Sequence, residues 1–161
     1  MSTDRIEKTT LLRAPLERVW HAISDSSQFG AWFGMRCEGP FIAGNKVRCA
    51  IVPTSVGGEV AEKQQAYEGV EFDIWVEEIV PQRQLSFRWI PYALDADTDP
   101  ESAVKSLVTF ELEEEAGGIR LTITESGFDA VPVDLRANAF SANEEGWTLQ
   151  LQSIERYLAS H

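Results

Sequence analysis

Apolar and polar residues change period twice along the chain, and those changes divide it into three parts. Residues 5–13 alternate, with Ile6, Lys8, Thr10 and Leu12 on one face, and predict a first strand. Ala14-Pro15 opens a helix, because proline at a first helical position gives up only an N–H that had no intrahelical partner. Leu16, Val19, Trp20 and Ile23 recur behind it at helical spacing. Ser24-Asp25-Ser-Ser interrupts that run and supplies a new N-cap, so a second short helix is expected from about Asp25 to Gly30, followed by Trp32-Phe33-Gly34.

The period then falls to two. Turns at Gly39-Pro40 and Gly44-Asn45 lead into a strand over residues 46–52, and residues 53–62, with Gly57-Gly58 inside, read as a loop. Residues 67–80 form a long strand with Val70, Phe72, Ile74 and Val76 against Glu71, Asp73, Trp75 and Glu77. After the turn at Pro81, Leu85, Phe87 and Trp89 alternate with Ser86 and Arg88. Past the acidic segment 91–100, Val104, Ser106, Val108, Phe110 and Leu112 share a face. Gly117-Gly118 turns the chain back, and Ile119, Leu121, Ile123 and Glu125 form the inner face of the partner strand, closed by Gly127-Phe128. One apolar face per strand is the mark of an antiparallel sheet covered on one side.

The remaining segment must supply the cover. Pro132 and Asp134 start a helical region, with a break near Ser141 left open. If continuous it spans on the order of 40 Å at the helical rise. Trp147, Leu151, Ile154 and Leu158 fall on one stripe at offsets of 4, 3 and 4, flanked by Tyr157. Gly146 breaks the pattern, since a mid-helix glycine costs roughly 1 kcal/mol relative to alanine. It implies either close packing on the sheet or a hollow that holds a ligand. Gly146 is expected to face the concave side of the sheet, near Trp89 and Phe110, at the wall of any cavity. The expected fold is therefore α+β: a curved antiparallel sheet of six or seven strands wrapped around a long C-terminal helix, with two short helices after the first strand.

Composition changes little in this picture. The 161 residues suit one domain, 1–161, with enough apolar content to bury a core. The net charge of −12 disfavours nucleic acid and anionic membranes, both of which need basic patches. No secretory signal and no apolar run of membrane-spanning length is present, so a cytoplasmic protein with reduced thiols is expected. Cys37 and Cys49 could pair, although two cysteines imply no framework.

Five stretches, in order, resemble the START-like superfamily (also SRPBCC or Bet v-like). They begin with Ala14-Pro15-Leu-Glu-Arg-Val19-Trp20-His-Ala-Ile23, with Trp32-Phe33 after it, and continue with Val80-Pro81-Gln-Arg-Gln-Leu85-Ser-Phe87-Arg-Trp89. Val108-Thr-Phe110-Glu-Leu112, Leu121-Thr-Ile123-Thr-Glu125-Ser-Gly127-Phe128 and Gly146-Trp147 resemble the subgroup related to the C-terminal domain of the heat-shock-protein-90 ATPase activator. The resemblance implies the helix-grip fold and an apolar cavity between sheet and long helix for a small hydrophobic molecule. Such a cavity would be lined by Trp32, Phe87, Trp89, Phe110, Phe128, Leu121 and Ile123, and by Gly146, Trp147 and Leu151 of the helix. For any one aromatic the alternative is solid core.

Three functions compete. The first is non-enzymatic binding of that ligand. The second is a polyketide cyclase- or isomerase-like enzyme in the same pocket. Glu125 is its candidate acid or base, a carboxylate facing an apolar cavity where desolvation would raise its pKa, with Tyr92 or Tyr67 assisting. The alternative for Glu125 is a solvated rim position paired with Arg88 or Arg136. The third is a chaperone-associated interaction module, and a homodimer fits any of them. No cofactor is implied. His21 and Asp25 are too few for a metal site, and Asp95-Ala-Asp97-Thr-Asp99 departs from a calcium loop at Pro100 and Ser106.

Overall fold

The computed structural model describes residues 4–56, 58–92 and 99–160; Asp95, Asp97, Gly57 and His161 lie outside them. Strand β1 (Arg5–Leu12) leads to helices α1 (Leu16–Ser24) and α2 (Ser26–Phe33). Strands β2 (Met35–Cys37) and β3 (Lys46–Ile51) precede helix α3 (Gly58–Gln64). Strands β4 (Glu71–Val80), β5 (Gln84–Trp89), β6 (Ser106–Glu115) and β7 (Gly118–Ser126) follow, and helix α4 (Val133–Ser160) closes the chain. The seven strands form one antiparallel sheet in the order β1-β7-β6-β5-β4-β3-β2. This is the helix-grip α+β arrangement that the periodicity predicts.

The inner faces follow the alternation within the strands, but the expected strand over 67–80 begins only at Glu71: Tyr67 ends a helical turn and Val70 is half exposed before the strand starts. Ser106, Val108, Phe110 and Leu112 of β6 are buried, as are Ile119, Leu121, Ile123 and Glu125 of β7. Thr10 of β1 faces the same way, and its hydroxyl donates to Glu155 of α4 at 2.6 Å. Trp75 lies on the other face of β4, where its indole N–H reaches Glu101. A register shift between Val76 and Glu78 marks a bulge in β4.

Three local differences have physical causes. Pro15 is the N-cap of α1 rather than its first helical residue: its carbonyl accepts the first helical bond, from Val19. Asp25 caps α2 as expected, with Oδ1 accepting from Ser27 and Gln28, but α2 runs on through Trp32 and Phe33 until Gly34 ends it at φ 102°. From within the expected loop 53–62 and past its end, Gly58–Gln64 is helical, because Glu59, Ala61, Glu62, Lys63 and Gln64 are strong helix formers and Val60 buries. Lys63 of α3 ties this helix to Glu145 of α4.

Helix α4 is continuous through Ser141 over 28 residues. Its buried line is Trp147, Gln150, Ser153, Ile154 and Tyr157, with Leu151 and Leu158 half-buried beside it. The covered face is thus rotated toward Gln150 and away from the Leu151–Leu158 edge, and it includes two polar residues. Under the helix, Phe29, Trp32, Phe87, Phe110 and Trp147 fill the interior, with ring centroids 4.7 to 6.3 Å apart. Such separations are those of close-packed aromatic pairs.

Candidate functional site

The polar centre of the molecule is Glu125, fully buried near the end of β7. Four side chains donate to it. The indole N–H of Trp147 reaches Oε1 at 2.8 Å, and that of Trp89 reaches Oε2 at 2.8 Å. Ser106 Oγ donates to Oε2 at 2.5 Å, and Asn143 Nδ2 lies 3.0 Å from both oxygens. The two indoles stack, with centroids 5.6 Å apart and planes 19° apart, so one carboxylate aligns both rings. The arrangement joins β5, β6 and β7 to α4 through a single acceptor group. A carboxylate offers about four lone-pair sites, and this donor set occupies them.

Neither sequence-based picture of Glu125 describes this. It is not at a solvated rim, and Arg88 and Arg136 bind elsewhere, Arg88 to Glu77 and Arg136 to the carbonyls of Asp129 and Val131. Nor does it stand alone in an apolar cavity, because its oxygens are held by four donors. Its place on the inner face of β7 is as the alternation predicts.

Beside this centre lies a cleft of about 910 Å³. Its walls come from the end of α2 (Phe33, Gly34), β3 and β4 (Ile51, Phe72), β5 and the segment after it (Trp89, Tyr92), and Gln64 at the end of α3. Asn143 and Gln150 of α4 close it from the helix side. Tyr67 and Val70, both half or more exposed, form an apolar mouth. Arg48 at the edge is engaged by Asp73, at 2.7 Å, and by Glu71, at 3.7 Å.

Polar geometry fixes the floor. The Phe33 carbonyl accepts from Gln64 Nε2 at 2.7 Å and from Gln150 Nε2 at 2.8 Å. Gln64 Oε1 in turn accepts from the backbone N–H of Thr54. A side chain at residue 34 would collide with the Gln64 amide, and φ is positive there, so only glycine fits. Gln150 is 7% exposed, and its Oε1 is a buried side-chain polar atom with no partner among the described residues.

Of the sequence-predicted cavity residues, Trp89 lines this cleft. Trp32, Phe87, Phe110, Leu121, Ile123, Phe128 and Trp147 lie in the packed core, Leu151 packs half-buried against it, and Glu125 sits behind Trp89 and Asn143. Gly146 does not pack on the sheet: a Cβ there would meet no heavy atom within 4 Å. Trp147, not Gly146, is the residue that meets Trp89 and Phe110. Gly146 is three residues after Asn143 and four before Gln150, which puts it on the same side of the helix as these two cleft residues. Gln64, Asn143 and Gln150 were missed as site residues. The available signal was Gln150 itself, three residues after Trp147 on the covered stripe.

Among the described residues no group of His, Cys, Asp and Glu could hold a metal, and no helix is long and apolar enough to cross a membrane. Comparison with known proteins supplies a family. The sequence profile of the activator of Hsp90 ATPase homolog 1-like proteins matches residues 13–159. No curated protein matches. Solved structures of the same fold include DynU16 of the dynemicin biosynthetic locus, at 22% identity and a TM-score of 0.67. That match covers 97% of this chain but only 47% of DynU16. A protein from Mesorhizobium loti shares 21% identity at a TM-score of 0.70, with 97% of each chain covered. The Aha1 dimer from Colwellia psychrerythraea shares 16% at 0.65, covering 96% of this chain and 95% of that one.

Proposed function

The chain belongs to the activator of Hsp90 ATPase homolog 1-like family, and from that premise we propose that it binds a small apolar molecule in the cleft between β3–β5, α3 and α4, without chemistry at Glu125. The carrying observation is the cleft itself. Its volume, about 910 Å³, lies within the range of small-molecule sites. Phe33, Phe72, Trp89 and Tyr92 give it aromatic walls, with Ile51 and Val70 adding aliphatic surface, while its polar groups gather at the Arg48–Asp73 edge and on the helix side at Asn143 and Gln150. Glu125 does not support proton transfer on a ligand, because its oxygens already accept from four side chains and Trp89 and Asn143 stand between it and the cleft. Residence in the cytoplasm belongs to the same proposal, in keeping with a sequence whose two cysteines imply no disulfide framework.

Binding of Nile red, a neutral apolar dye that brightens on leaving water, tests this reading. The wild type should enhance its emission saturably. Val70→Arg, at the half-exposed mouth, should weaken that enhancement severalfold while leaving the circular dichroism unchanged. No saturable enhancement with folded wild type would overturn the proposal.

A second reading follows from the family. Association with a chaperone, or with a second copy of the chain, would use the outer surface. Val133 and Leu135 are exposed at the start of α4, away from the cleft residues of that helix. Stimulation of a purified Hsp90-type ATPase by the wild type, lost in Val133→Asp, would favour this reading over the first.

A further inference from the structure

On the helix side of the cleft the unused hydrogen-bonding capacity is that of two amide oxygens. Gln150 Nε2 must face the Phe33 carbonyl, because the reversed amide would set two oxygens against each other, so Oε1 turns away from it without a partner. Asn143 is oriented in the same manner: Nδ2 spans both oxygens of Glu125, and Oδ1 points elsewhere. Both side chains border the cleft from α4. They are seven residues apart, two helical turns or about 10 Å along one face. Between them lies Gly146, where no atom of another described residue comes within 4 Å of the place a Cβ would take. By contrast, both ends of the Gln64 amide are engaged.

Charge narrows the choice further. Arg48 is the one cation among the cleft residues described, and it is held by Asp73 and Glu71. With one cation against two carboxylates, the rim carries an excess negative charge that a carboxylate or phosphate ligand would meet unfavourably.

We propose that the ligand is a neutral, largely flat apolar molecule carrying a hydroxyl or N–H donor, and that Gln150 Oε1 accepts from that donor at the foot of the cleft. Asn143 Oδ1 is the second acceptor, two turns toward the start of α4, and the open backbone at Gly146 lets the apolar body lie against the helix between them. Oε1 is shut off from bulk water, so a donor has to reach it from the cleft that Gln150 lines. An unpaired buried acceptor is unfavourable, so satisfying it favours the donor-bearing ligand over an isosteric one without a donor. This inference rests on the ligand-binding reading above and adds the class of ligand.

Three probes of one shape separate the claims by calorimetry: naphthol, methylnaphthalene and naphthoate. The wild type should bind naphthol about tenfold more tightly than methylnaphthalene, the ratio that one well-placed hydrogen bond gives. Naphthoate should bind more weakly than naphthol. Gln150→Leu removes the acceptor together with the donor to the Phe33 carbonyl, so the readout is the preference rather than the affinity: the roughly tenfold ratio of naphthol to methylnaphthalene should fall to about one. Should Gln150→Leu unfold, the wild-type probe order carries the test. Equal binding of naphthol and methylnaphthalene, or tightest binding of naphthoate, would overturn the donor inference and leave the cleft reading standing. No binding of any of the three would overturn both.

Discussion

Replacing Glu125 by Gln preserves shape and converts one acceptor oxygen into an NH2 group. Around it the wild type places two indole N–H groups, one serine hydroxyl and one asparagine amide, all donating. If the new NH2 takes the Oε1 position, it faces the Trp147 indole N–H; if it takes the Oε2 position, it faces that of Trp89. Ser106 can rotate its hydroxyl to accept, and Asn143 keeps one oxygen, but neither indole can become an acceptor. At least one buried N–H is therefore orphaned and pushed against another donor. Each such group costs about 1–3 kcal/mol, so a total of about 2–4 kcal/mol is expected. For a chain of this size that is a fall in Tm of roughly 5–15 °C by differential scanning calorimetry. The stacked pair Trp89–Trp147 should report the change as a loss of near-ultraviolet circular dichroism, since both rings are aligned by the same carboxylate. Trp89→Phe, which removes one donor and keeps an aromatic ring, should cost less. A Glu125→Gln protein with wild-type Tm and near-ultraviolet spectrum would refute the reasoning.

Gly146→Ala should raise stability by about 0.5–1 kcal/mol in urea unfolding, because the added methyl meets no neighbour and the helix gains propensity; a loss would mean that the space is not open. The larger Gly146→Phe should fill that space and reduce Nile red binding while α4 stays folded. Cys37 and Cys49 face each other in register, and the bond from the Glu38 N–H to the Arg48 carbonyl makes theirs a non-hydrogen-bonded pair, whose Cα separation of about 4.5 Å suits a disulfide. Cys49's thiol donates to Cys37's sulfur at 3.0 Å, which lowers the Cys37 pKa and raises that of Cys49. Hydrogen peroxide should join the two sulfurs within one chain, taking up both protons and two electrons to become water; mass spectrometry should show the loss of two hydrogens, absent in Cys37→Ser, and an untouched pair would refute it. The hydrogen bond from Arg120 holds the Glu115 carboxyl below its usual range, so its small stabilising effect is present above the ordinary carboxylate pKa and fades as pH falls through the lowered value. The Tm difference between wild type and Glu115→Gln should accordingly vanish in strong acid and not at neutral pH.

The strand faces were legible because alternation is a direct record of burial: Ser106, Leu121, Ile123 and Glu125 all point as the period says. The long helix was legible for the same reason, yet its buried line was misplaced by one side of the helix. Apolar residues mark a stripe, but Gln150 and Ser153 are buried for hydrogen bonding and packing, and hydropathy does not record that. Helix α3 was hidden by Gly57-Gly58, whose turn chemistry outweighed the helix formers behind it. The candidate site was least legible. Trp147 pairs with Glu125 across 22 positions, and Asn143 with it across 18, in geometry that only the closed sheet creates. Aromatic content alone does not distinguish Phe110, sealed in the core, from Trp89, which the packing leaves at the cleft wall.

The central claim is that this cleft, and not the aromatic interior, receives an apolar ligand. Nitrogen-15 NMR of the wild type during titration with naphthol addresses it directly. The indole N–H of Trp89 and the side-chain amides of Asn143, Gln150 and Gln64 should shift saturably together, while amides of the exposed start of α4 near Val133 stay still. Saturable shifts confined to that outer surface, or no shifts at all at millimolar naphthol, would contradict the account.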